Sequence, residues 1–100
     1  MENTAKTKSY PPNPINSDDV ILHKEIEELV ESLAEQVHEN GSLERINDGW
    51  MYGSQRNDEK KTTPCLIPYN ELPDSEKEYD RITAIQTLKF ILKQGFKISK

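Results

Sequence analysis

Cys65 is the only cysteine of the chain and His23 and His38 are its only histidines, so thiol-based nucleophilic chemistry has to bring Cys65 beside one of those two rings. Nothing in the spacing does so. Cys65 sits between Pro64 and Leu66 in a short apolar run, where a small buried thiol is the ordinary reading. His38 and Glu39 stand near the end of a helical pattern and could hold a metal only with ligands from elsewhere, so capping or packing accounts for them better. Paired carboxylates occur at Asp18 and Asp19, Asp58 and Glu59, and Glu76 and Asp80. All three pairs fall on segments read as exposed, whereas general acid catalysis needs a cleft and a shifted pKa. Gly49 and Gly53 are too few for a phosphate-cradling loop, and no P-loop or dinucleotide fingerprint is present. The residues therefore imply no catalytic group, no metal ligand set and no cofactor: the chain reads as a binding protein and not as an enzyme.

Residues suited to binding gather in "NDGWMYGSQRNDEKKTTPCLIPYNEL", which carries the only tryptophan, two of the four tyrosines and the cysteine. A strand through this stretch sets Trp50 and Tyr52 on one face and Met51 on the other. Two readings follow. In one, the two rings knit a small β ribbon to the helices, and Arg81 pairs with the acidic neighbours of Lys77 or with a carboxylate of the first helix. In the other, Trp50, Tyr52, Arg56, Tyr69 and Arg81 line a concave aromatic and cationic site for a protein partner or for an anionic planar ligand such as a nucleotide. Arg45, Lys60 and Lys61 are the other cationic candidates.

Composition narrows the partners. The formal net charge is -5 and no run of lysine and arginine goes unanswered by nearby carboxylates, which argues against nucleic acid, because clustered positive charge drives that affinity. No stretch approaches the roughly 20 apolar residues of a membrane span. A lone cysteine precludes an intrachain disulfide and suits a reducing, cytoplasmic setting. Only 33% of residues are hydrophobic, so part of the chain is expected to stay unpacked.

The elements that must position these residues are legible as periodicities. Residues 1–13, polar and proline-rich, read as a flexible arm, pinned only where Tyr10 or Ile15 finds a groove, and residues 14–100 read as one domain. Leu22, Ile26, Leu29, Val30, Leu33 and Val37 recur at helical spacing, with glutamates opposite and Gly41 as the expected stop. Leu43 to Asp48 has room for a short separate helix, capped by Ser42 and ended by Gly49. Trp50–Gly53 and Cys65–Pro68 read as a two-stranded antiparallel ribbon that needs a helix behind it. A last helix starts at Pro73, Asp74 or Ser75, carries Tyr79, Ile82, Ile85, Leu88, Phe90, Ile91 and Leu92, and ends at Gly95. The expected fold is mainly α (α+β): two long amphipathic helices and a short one packed on a small antiparallel β ribbon.

The order of "LxExLAExVHE" (Leu29 to Glu39), "RIxxGWxYG" (Arg45 to Gly53), Arg56, "PCLIPYxEL" (Pro64 to Leu72) and "EKEYDR" (Glu76 to Arg81) resembles the Ryr domain. That module is found as paired copies in the ryanodine receptor and as single copies in small bacterial and phage proteins. The resemblance runs from about Pro14 to Ile98. It implies an α-rich, non-catalytic regulatory and interaction module, for a protein partner or self-association. The chain has no counterpart of the loop that links paired copies, so no phosphorylation site is carried over. It also departs from the family at Gly41, where a tryptophan is common shortly after "HE", so a site built from two facing indoles is not implied.

Overall fold

Ala34 and Ala84 are the most buried of the described residues, and each lies inside one of two long helices, where a methyl side chain permits close approach. The computed structural model describes residues 9–100. Its elements are a single-turn helix α1 (Lys24–Glu27), a long helix α2 (Val30–Asn47), strands β1 (Met51–Tyr52) and β2 (Thr62–Thr63), a 3-10 turn at Tyr69–Glu71 and a second long helix α3 (Asp74–Lys93). Part of the expected arm, residues 1–8, lies outside the described residues, and residues 9–13 are exposed and form neither helix nor strand.

The two long helices pack against each other in antiparallel order: Glu31, early in α2, binds Arg81, and His38, further along, faces Asp80, which precedes Arg81. Tyr69 and Leu72 enter beside Ala34, with Cys65 and Ile67 packed on them, so the segment between ribbon and α3 is the third wall of the core.

Three expectations need correction. The first helix does not stop at Gly41, and there is no separate short helix at Leu43–Asp48: α2 runs through both to Asn47. A glycine inside a helix is worse than alanine by about 1 kcal/mol, whereas stopping and restarting forfeits a turn of hydrogen bonds and a second nucleation. At the other end the pattern is interrupted at Glu28 and Leu29, where Leu29 N–H bonds Ile26 C=O three residues back. The backbone stays right-handed there, so this is a tightened turn and not a loop. It leaves Ile26 buried and Leu29 exposed.

The second correction concerns strand position. The apolar run Cys65–Pro68 forms no strand; β2 is Thr62–Thr63 instead. Pro64 and Pro68 have no N–H to give a ladder. The run packs on the helices, and its Ile67 carbonyl accepts a hydrogen bond from His38 Nε2 at 2.6 Å.

The third is direction. β1 and β2 are parallel, pairing Met51 with Thr62 and Tyr52 with Thr63, and not antiparallel. The chain between them reverses twice, the second time through a turn closed by mutual backbone hydrogen bonds of 3.0 Å between Asn57 and Thr62. Lys61 takes a positive φ of 56° in that turn, held by its Nζ donating to the Asp48 carbonyl at 2.8 Å. Two reversals restore the original direction. The pair is close enough that a Cβ on Gly53 would lie 2.7 Å from Thr62 Cβ, so only glycine fits.

Candidate functional site

The end of α2 places the tryptophan. Gly49 sits just past the helix with φ of 93°, its N–H bonds Ile46 C=O, and Trp50 N–H reaches back to Arg45 C=O at 2.9 Å. This is a Schellman ending, which brings the residue after the glycine over the one five positions earlier. Here that contact is between an indole and a guanidinium: Arg45 Cζ lies 4.7 Å from the Trp50 ring centroid. Arg56, on the loop after β1, approaches the same ring at 5.1 Å and also donates to Asp58 at 2.8 Å. That carboxylate pushes the Arg56 pKa further up. Arg45 makes no ion pair among the described residues.

Both arginines line a cleft of about 320 Å³ between the second half of α2, the segment after β2 and the start of α3. His38, Gly41, Ser42 and Cys65 lie along it, and Glu76, Tyr79 and Asp80 form the α3 wall. A Cβ on Gly41 would touch nothing within 4 Å. The cleft is bipolar, with guanidinium groups on one side and carboxylates on the other.

Its titratable groups are engaged with one another and with the backbone, and Glu76 and Asp80, expected on an exposed segment, both lie half-buried along it. Cys65 Sγ points to Glu76 Oε1 at 3.5 Å and not to an imidazole. Burial, reinforced by that carboxylate, pushes the thiol pKa up, which opposes the thiolate a nucleophile needs. His38 commits Nε2 to the Ile67 carbonyl, and its Nδ1 is 3.9 Å from Asp80 Oδ2. Burial, with the Glu76 charge adding to it, raises the Asp80 carboxyl, and His38 opposes the change. Among the described residues no group of three His, Cys, Asp or Glu side chains could hold a metal ion.

The other three residues singled out in the sequence lie elsewhere. Tyr69 is buried, and its hydroxyl donates to Glu31 Oε2 at 2.9 Å. Arg81 grips the same carboxylate with two nitrogens, Nε to Oε1 at 2.8 Å and Nη2 to Oε2 at 3.1 Å, and reaches Glu78 at 3.4 Å. First Arg81 and then the Tyr69 hydroxyl hold the Glu31 carboxyl below its usual range. Both pairings expected of Arg81, with a carboxylate of the first helix and with a neighbour of Lys77, are thus present together. Tyr52 is exposed on β1 beside exposed Met51.

The five candidates therefore divide into Trp50 with Arg56, Tyr69 with Arg81, and a solvent-facing Tyr52. Arg45, named from the sequence only as a further cationic candidate, joins the first group. The sequence signal for it was present, since glycine after a helix followed by a large ring points that ring at position 45.

Among the described residues no helix is long and apolar enough to cross a membrane. A family model described as the RyR domain matches residues 10–100, nearly the whole chain. The match covers the helix pair, the ribbon and the cleft alike, and the chain belongs to the RyR domain family.

Proposed function

We propose that this domain is a non-catalytic interaction module and that it docks a partner protein with the end of α2 and the strand that follows. One observation carries the reading. Leu43, Ile46, Met51 and Tyr52, four large apolar side chains within ten residues of chain, are each more than half exposed. Single exposed apolar residues are ordinary, whereas a cluster is a signature of a docking surface. Tyr69, a candidate from the sequence for a partner site, faces the core with Ile67 packed on it, so the patch extends back along α2. Arg45 and Arg56 lie beside it, and Arg45 is available to a partner carboxylate. A raised Cys65 thiol and an engaged His38 support the non-catalytic part.

An anionic small ligand held jointly by Trp50, Tyr52, Arg56 and Arg81 has less support, because Arg81 is committed to Glu31 and Tyr52 stands outside the cleft. The test is photo-crosslinking in cells with a photoreactive residue at position 51 and, as control, at position 25 on α1. The expected result is a discrete cross-linked protein from position 51 alone. No product from either position, or the same products from both, refutes the docking surface.

A further inference from the structure

The outer side of α3 is unlike that of α2. On α2 the exposed positions include Glu31, Glu35, Glu39 and Glu44. On α3 the positions facing away from buried Ala84 and Leu88 are Tyr79, which also edges the cleft, Ile82, Thr83, Gln86, which accepts a hydrogen bond from Ser17 at 3.0 Å, Thr87 and Phe90, all exposed and none charged. Tyr79 is 68% exposed, Ile82 49% and Phe90 48%. An isolated surface helix ordinarily carries its charges there. The charges of α3 are displaced to its flanks, where Arg81 binds Glu31, and to its end, where Lys93 binds Asp19 at 2.9 Å. Glu78 and Lys89 border the uncharged strip.

We infer that this strip is a self-association surface: the chain forms a weak twofold dimer by packing α3 against α3 of a second copy in antiparallel fashion. The proposal extends the interaction-module reading but concerns a different face. Three arguments favour a second copy as the occupant. The chain carries a net charge of -5, and like charges brought together at an interface cost several kcal/mol. Two copies meeting on α2 would oppose glutamates, whereas two copies meeting on α3 oppose none. The strip is also self-complementary, since an antiparallel twofold pairing about its middle sets Tyr79 over Phe90 of the partner subunit and Ile82 over Thr87 of the partner subunit, ring against ring at both ends. Finally, the area matches a weak pair. Tyr79, Ile82 and Phe90, with Ile15 beside Phe90 in the same groove, can withdraw on the order of 400 Å² per copy from water, about half of a standard partner's share.

The test is sedimentation equilibrium of the full chain from about 1 µM to about 1 mM, the range over which a small interface dissociates. The expected result is a mass rising toward twice the monomer. Ile82→Glu and Ile82→Lys should each stay monomeric while retaining wild-type circular dichroism, and an equimolar mixture of the two should regain the dimer. Wild type that remains monomeric throughout, or charged variants that still dimerise, overturn the proposal. Ile46→Asp should leave the dimer intact while abolishing the crosslink from a photoreactive residue at position 51, so loss of either surface is read separately.

Discussion

The two ends of the helix pair use the same side-chain types for opposite ends. At one, an arginine, a tyrosine and a glutamate close on each other: Arg81 and the Tyr69 hydroxyl both bind Glu31, and the ring is buried under α2. At the other, two arginines flank a half-buried tryptophan beside an open cleft, with only Arg56 neutralised, by Asp58 on its own loop. The difference lies in the carboxylate. Where it comes from the opposite helix it ties two elements together and leaves nothing to bind; where it comes from the adjacent loop the elements stay free to meet a partner. An arginine beside an aromatic ring is thus no evidence of a site until its counter-ion is located.

The sharpest way to break this contrast is to truncate both rings. Tyr69→Ala empties a core position and strips Glu31 of a donor, a change of the kind that costs about 3–5 kcal/mol in buried aromatics. At about 4–8 °C per kcal/mol for a domain of this size, the melting temperature should fall by more than about 12 °C. Trp50→Ala should lower it by less than half as much. Equal losses in thermal melts followed by circular dichroism would mean that the open end is core after all.

Next in size is the backbone that aims Trp50. Gly49 sits at a φ of 93° that an L side chain rarely adopts, so Gly49→Ala should cost about 1–3 kcal/mol. It should also shift Trp50 emission by releasing the ring from Arg45. A stability loss with unchanged emission would separate the helix ending from the stacking.

The closed end also makes a pH prediction. The folded-state Glu31 pKa is depressed by Arg81 and Tyr69 below its ordinary 4.5. Its contribution is therefore fully present above about pH 4.5 and is lost as pH falls through the folded value. Asp19, lowered by Lys93, acts in the same sense. Asp80 acts in the opposite one, because burial raises its carboxyl and acid relieves the penalty. Glu31→Gln should lower neutral-pH stability by about 1 kcal/mol or less, since the pair is more than half exposed on the glutamate side. It should also flatten the loss seen below pH 4.5. An acid limb as steep as that of wild type would remove Glu31 from the account.

What the sequence disclosed follows the range of the interactions. Periods of three and four residues located both long helices, and Gly95 marked the end of the second, because these signals are local; Gly49, read as closing a separate short helix, closes the first. Gly41 misled for the same reason: read alone it is a stop, yet the helix runs through it to Asn47. The parallel direction of the ribbon was not readable, because it depends on two reversals, one of them made possible by Lys61 reaching Asp48 thirteen residues away. The division of the five candidate residues was hidden at longer range still. Arg81 finds Glu31 fifty residues earlier, and both partners were named only as alternatives among many carboxylates.

The smallest expected effect tests the open end most directly. Arg56 is exposed, its ion pair with Asp58 lies on one loop, and its stacking on Trp50 is a surface contact. Removing the charge with Arg56→Gln should leave the melting temperature within about 2 °C of wild type, the range of surface changes that touch no core element. The indole still reports on it, because a guanidinium over its face polarises the ring. Trp50 emission should change in wavelength or yield, and added salt should change the variant less than wild type because one of the two flanking cations is gone. A large stability loss would instead show that Arg56 holds the ribbon to α2 through Trp50, and the open end would then be as closed as the other.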